Sequence, residues 1–207
     1  GNPEYIELLE EYSQCDVVEL AETCKIAVDR LKFVKANPTW DETYKSEYYT
    51  VDPAPPCEED DIEIVKAQLI DQTLPLFTRY RAMFKLRDWN TPEAISALTL
   101  GFNDPSALFR HEIAYVFGQL SNPLAESALI KVMNDKNEHS MVRHEAAEAL
   151  GSIADNDVVV TCLRDGLNDE DRIVKESCQV AMDAYEYWQE FNKAGGDEEE
   201  EEEATPA

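Results

Sequence analysis

One short motif occurs twice, 33 residues apart: Phe109-Arg110-His111-Glu112 and Val142-Arg143-His144-Glu145. Each copy is followed by apolar residues at helical spacing and by a glycine seven residues after the histidine, Gly118 and Gly151. Stepping back 31 residues reaches Arg79-Tyr80-Arg81-Ala82, and stepping forward 32 reaches Lys175-Glu176-Ser177-Cys178. A period in the low thirties with two helices per unit is the mark of an α-solenoid, in which each unit buries its apolar face only against its neighbours. The spacing therefore predicts an all-α chain of stacked helical hairpins, with the second helix of every hairpin lining one face. Only seven glycines are present in 207 residues, two of them beside the C-terminal tail, which argues against a loop-rich β fold.

The pattern resembles HEAT-like repeats. Asn2-Pro3, Thr91-Pro92 and Asn122-Pro123 read as helix starts. In each, a side-chain oxygen can cap an orphan backbone N–H, and proline fits the first turn. A longer echo adds to this. Glu22-Thr23-Cys24-Lys25-Ile26-Ala27-Val28-Asp29 matches Glu176-Ser177-Cys178-Gln179-Val180-Ala181-Met182-Asp183 without a gap at an offset of 154 residues. The second copy closes a block of four repeats, so the first closes a similar block of which only the last unit is present. The expected organisation is a last repeat of a truncated first half over 1–36, a Pro-rich linker over 37–60, a four-repeat block over 61–192 and a disordered acidic tail over 193–207. The linker includes Val51-Asp52-Pro53-Ala54-Pro55-Pro56, which forbids a continuing helix.

The formal charge is −26, of which Asp197 to Glu203 supplies seven. Such a run repels itself and buries nothing, hence the expected disorder. About −19 remains elsewhere, with no basic stripe to neutralise phosphates. Nucleic-acid binding is disfavoured, and a basic protein or cationic side chain is the natural partner. Five cysteines at long spacings, without a CxxC, point to a reducing, cytoplasmic setting rather than a disulfide framework or zinc site. No signal peptide and no apolar run near 18 residues is evident, so no membrane role is expected.

Chemistry concentrates in the two His-Glu pairs. Imidazole with carboxylate suits iron, manganese or zinc. Adjacent helical residues differ in direction by about 100°, so one pair straddles a face and its two members can reach different metals. The expected ligands are His111, Glu112, His144 and Glu145. Four fall short of the roughly six protein ligands of a dinuclear carboxylate site. A zinc-protease motif is excluded, because neither pair has a second histidine one turn on. Glu148, on the face of His144, is either a supporting group or simply a good helix former. His139 has no counterpart in the repeat and reads as loop or cap.

On Tyr80-Arg81-Ala82-Met83-Phe84, Ser106 through Glu112, Met141 through Glu145, Ala149-Leu150-Gly151, Glu176-Ser177-Cys178 and the proline linker, the chain resembles the C-terminal part of deoxyhypusine hydroxylases. The resemblance implies a pseudo-symmetric HEAT-like protein with two His-Glu pairs in each half, together holding two irons. It implies dioxygen-dependent hydroxylation of the deoxyhypusine side chain of the translation initiation factor 5A precursor. It also implies that this chain alone, with half of the ligands, is inactive. The competing reading is a non-catalytic repeat scaffold in which the motifs merely decorate helix starts.

Overall fold

Capping chemistry and apolar spacing lay out the helices in the order the repeats require. The computed structural model describes residues 3–40, 44, 46–48, 50–154 and 156–203, with backbone alone for Pro3 and for 192–203. Among the described residues every regular element is helical: α1 (Ile6–Tyr12), α2 (Val18–Ala36), α3 (Ile62–Ile70), α4 (Leu76–Trp89), α5 (Pro92–Thr99), α6 (Ala107–Leu120), α7 (Glu126–Asn134), α8 (Ser140–Ile153), α9 (Asp157–Gly166) and α10 (Arg172–Glu203). Short 3₁₀ turns stand at Pro3–Tyr5, Leu100–Asn103 and Pro123–Ala125. The α-solenoid expected from the repeat is the architecture found.

The caps show why the elements begin where they do. Thr91 Oγ1 accepts from the Ala94 N–H at 3.2 Å, and Pro92 opens α5. Asn122 Oδ1 accepts from the Leu124 N–H at 3.1 Å, but Pro123 opens a 3₁₀ turn before α7 rather than the helix itself. Asn2 lies outside the described residues. Asp61, Ser106 and Asn156 cap α3, α6 and α9 with their own side chains. Helices α4 and α6 end on Asn90 and Ser121 at φ of 45° and 44°, where the left-handed turn stops the helix.

Helices α4, α6, α8 and α10 form the inner row, and α3, α5, α7 and α9 the outer. Helix α8 packs along both α6 and α10. The core between the rows is one continuous layer that includes Phe84, Phe109, Ile113, Phe117, Leu129 and Leu150. Gly151 permits the close approach of α8 to α10: a Cβ there would lie 2.7 Å from that of Ala181.

The proline segment is no free tether. Ala54 is fully buried and Asp52 nearly so. The fully buried Arg87 grips Asp52 with both terminal nitrogens, at 3.0 and 2.8 Å. Arg81 donates to the Pro55 and Pro56 carbonyls, and the Cys57 N–H donates to the Arg81 carbonyl. A buried guanidinium needs such pairing, so the prolines dock where Arg87 demands a carboxylate. At the other end, α10 continues to Glu203 where the sequence predicts disorder from 193. Glutamate is a good helix former, and the backbone follows that preference. Residues 204–207 lie outside the described residues.

Candidate metal centre

The stack decides which side chains meet. His111 on α6 and His144 on α8 occupy equivalent positions on neighbouring inner helices, and their rings lie 5.6 Å apart between centroids at 50°. The Glu145 carboxylate reaches across from α8 to within 3.2 Å of His111 Nε2. One ligand atom from each of His111, His144 and Glu145 lies within 4.8 Å of the other two, close enough to hold one ion. Glu112, the fourth expected ligand, is not in this group.

Two features test whether these residues suit a cation. His111 Nδ1 is buried and meets no hydrogen-bond partner. Such a group costs about 1–3 kcal/mol unless something outside the protein compensates it. His144 Nδ1 lies 3.3 Å from Glu148 Oε1, and Glu148 is itself steadied by the Ser177 hydroxyl at 2.9 Å. A carboxylate holding one imidazole nitrogen fixes the tautomer and leaves the other free to ligate. Two imidazoles and one carboxylate, partly buried and converging, are a donor set suited to a divalent iron. The fit is good.

Electrostatics agree. Burial works against charging His111, yet the Glu145 carboxylate, with Glu112 and Glu148 adding, outweighs it and raises the imidazole above its ordinary value. The excess negative potential that keeps the proton on His111 is the potential a cation would meet. Burial pushes the Glu112 carboxyl up to about 7, with His111 opposing. Glu112 faces a different space, a cavity of about 210 Å³ walled by Thr23, Ile26, Ala27 and Arg30 of α2, Pro53 of the linker, and Tyr80 and Leu108, with Arg30 Nε donating to the Asp52 carbonyl at 3.0 Å.

The arginine that opens each pair has a structural task. Arg110 holds Glu138 through two bonds of 2.7 and 2.6 Å. Arg143 grips Asp169 and donates to the Met133 carbonyl at 2.9 Å. Arg79, one repeat earlier, pairs with Asp104. Each thus ties an inner helix to a neighbouring inter-helix segment and fixes the pitch at which the histidines meet. His139 caps α8, accepting from the Met141 N–H at 3.2 Å.

Glu148, which the sequence leaves open between a supporting group and a helix former, contacts His144 and so supports it. The wall formed by Tyr80 and Ile26 carries no motif of its own. A signal for Tyr80 exists, because the 31-residue step places it on the same rung as His111.

Comparison with known proteins fits this geometry. The HEAT-repeat family profile matches residues 95–183. The deoxyhypusine hydroxylase of Candida albicans is 49% identical over 193 residues, covering 90% of this chain and 60% of that protein. The deoxyhypusine hydroxylase of Danio rerio is 47% identical over 189 residues, covering 90% of this chain and 62% of that protein. The structure of human deoxyhypusine hydroxylase in complex with glycerol superposes with a TM-score of 0.85 at 45% identity, over 90% of this chain and 64% of that one. The chain thus spans about three fifths of the length of the curated relatives it matches. With nearly half of its residues identical across nine tenths of its length, and with the same repeat fold, the chain belongs to the deoxyhypusine hydroxylase family.

Proposed function

We propose that this chain forms the C-terminal part of an iron-dependent deoxyhypusine hydroxylase acting in the cytoplasm. In this reading, residues 1–36 are the last repeat of a first block, 37–60 the linker and 61–192 a second block. The carrying observation is the convergence of His111, His144 and Glu145 on one point. These three would hold one iron, and an equivalent block would supply three more ligands for a second. That total matches the roughly six protein ligands of helical dinuclear carboxylate sites.

Bound iron would supply the oxygen chemistry, one atom of dioxygen entering a C–H bond and the other leaving as water with two electrons and two protons from a reductant. The chain's own residues do the rest. Glu148 orients His144. Glu112 sets a carboxylate at the edge of an apolar slot. A protonated alkylamine satisfies both surfaces: its methylenes lie on Ile26, Tyr80 and Leu108, and its charge offsets the cost of ionising a buried carboxyl. The deoxyhypusine side chain of the initiation factor 5A precursor has this chemistry, and the acidity of the chain favours its approach. Glu112 is thereby assigned to substrate rather than metal, a revision of the four-ligand set. All five cysteines are free thiols, in keeping with a reducing compartment, and no helix among the described residues is long and apolar enough to cross a membrane.

Elemental analysis of iron after anaerobic loading tests the reading. About one iron per chain is expected, and near-zero content in the His111→Ala/His144→Ala variant. A folded chain whose iron content is unchanged by both substitutions sinks the assignment. Hydroxylation of the deoxyhypusine-containing precursor is expected of a protein carrying both blocks.

A further inference from the structure

The two histidines of the group are held in different ways. His111 turns Nε2 to the Glu145 carboxylate on the next inner helix, and its buried Nδ1 has no partner. His144 turns Nδ1 to Glu148 Oε1 at 3.3 Å, one turn along its own helix. That contact is weak by itself. Glu148 is about half exposed, and a pair four residues apart on a helix surface shifts a population only about twofold. A glutamate has ample rotamer freedom with which to leave for water. A fixed imidazole therefore requires a fixed carboxylate.

The next repeat supplies the constraint. Ser177 on α10 stands 32 residues after Glu145 and occupies its place in the repeat. Glu145 reaches back from α8 to His111. Ser177 likewise reaches back from α10 to α8, and Glu148 bridges the distance that a short hydroxyl cannot span. The Ser177 hydroxyl donates to Glu148 Oε1 at 2.9 Å, so one carboxylate oxygen meets both the hydroxyl and the imidazole. Ser177 is only 6% exposed, which limits competition from water.

This is not where a hydroxyl on a helix goes by default. Serine and threonine within a helix commonly turn back to the carbonyl four residues earlier. Thr23, 154 residues before Ser177 in the echoed stretch, does so and donates to the Glu19 carbonyl at 2.7 Å. Ser177 turns instead to an acceptor that carries a charge, and such a bond is roughly twice as strong as one between neutral groups.

We propose that Ser177 is a positioning residue for the metal centre: acting through Glu148, it holds the His144 ring with its proton on Nδ1 and leaves Nε2 open to an ion. His144 is then the ligand set in advance, and His111 the one whose Nδ1 nothing holds. The inference rests on the metal reading of His144, but its first readout needs no metal.

Long-range proton–nitrogen NMR spectra of the metal-free chain, recorded at about pH 9 where an ordinary imidazole is neutral, assign the tautomer of each histidine. In the parent, His144 should carry its proton mainly on Nδ1. Ser177→Ala should lower the ratio of that tautomer to the other by roughly threefold or more. Glu148→Ala should lower it further, and Ser177→Ala added to Glu148→Ala should change nothing more, because the hydroxyl acts through the carboxylate. The His111 spectrum should be the same in all variants. Anaerobic Fe(II) titration should show a loss of about tenfold for Ser177→Ala and of about 10–100-fold for Glu148→Ala. A Ser177→Ala chain with a lowered Tm and the parent's His144 tautomer overturns the proposal, because the hydroxyl is then structural alone. Independent, additive effects of the two substitutions on the tautomer also overturn it. Tautomer shifts as expected, with iron content indifferent to His144→Ala, would overturn the metal reading and leave the hold of Ser177 on His144 standing.

Discussion

Glu112 and Glu145 occupy the same place in two copies of one motif, yet they have different neighbours. Glu145 meets His111 at 3.2 Å and joins His111 and His144 in a group able to hold one ion. Glu112 faces an apolar cavity, and burial pushes its carboxyl up to about 7. The motif does not distinguish them; the preceding rung of the ladder does. A glutamate on one inner helix reaches back toward the histidine position of the helix before it. For Glu145 that position is His111. For Glu112 it is Tyr80, which shares the cavity wall. In a repeat protein the role of a residue is thus a property of two adjacent units, because each unit contacts only its neighbours.

The contrast predicts unequal responses to the same change. On the proposed assignment Glu145→Gln removes a charged ligand, and affinity for Fe(II) should fall roughly a thousandfold, or about 4 kcal/mol, which exceeds the 10–100-fold typical of outer-shell partners. Glu112→Gln should leave that affinity within about tenfold and weaken capture of the amine-bearing substrate. Anaerobic Fe(II) titration of both variants checks this, and equal losses would erase the distinction between the two glutamates.

The arginines ahead of the two pairs sharpen the comparison at a smaller scale. Arg143 and Asp169 are almost wholly buried, whereas Arg110 and Glu138 are partly open to solvent. Asp169→Asn should cost about 3 kcal/mol, because it leaves a buried guanidinium unpaired. Glu138→Gln should cost about 1 kcal/mol. The pH dependence follows from the Asp169 carboxyl, which Arg143 first and then Lys136 hold well below the usual carboxylate range, against some burial. A depressed carboxyl stabilises the fold above its unfolded value, about 3.8, and that contribution is lost as pH falls through the folded value. The gap between Asp169→Asn and the parent should therefore be full at neutral pH and shrink below about pH 4. Denaturant midpoints across that range provide the measurement, and a gap independent of pH would mean that the Arg143 pair is not its source.

How much of this was legible in the sequence follows from the range of each interaction. The solenoid, the inner row and the pairing of His111 with His144 all follow from the 33-residue period, because stacking converts a period into adjacency. That Glu112 stands apart from the group formed by His111, His144 and Glu145 was not legible from a motif within one repeat, because its surroundings are set by Tyr80 one repeat back. The docking of the linker was not legible either. Arg87 has no repeated signature, and Asp52 lies 35 residues before it in a segment whose prolines suggest only a lack of helix.

The reach-back rule can be tested directly at the rung that breaks it. Tyr80→His puts an imidazole ahead of Glu112, as His111 stands ahead of Glu145. Tyr80 is buried, donates from its hydroxyl to the Leu108 carbonyl at 3.3 Å and meets the Phe109 ring edge-on. Losing these contacts should cost some stability, but the informative change is at Glu112. A facing imidazolium favours the carboxylate, so the Glu112 carboxyl should fall from about 7 toward its ordinary range, by about a factor of ten in proton affinity, or ~1.4 kcal/mol. Carbon-detected NMR titration of the Glu112 carboxyl in the metal-free variant follows this. If that carboxyl still titrates near 7 in a folded variant, the preceding rung does not set the glutamate's role, and the difference between Glu112 and Glu145 must come from the cavity wall that α2 provides.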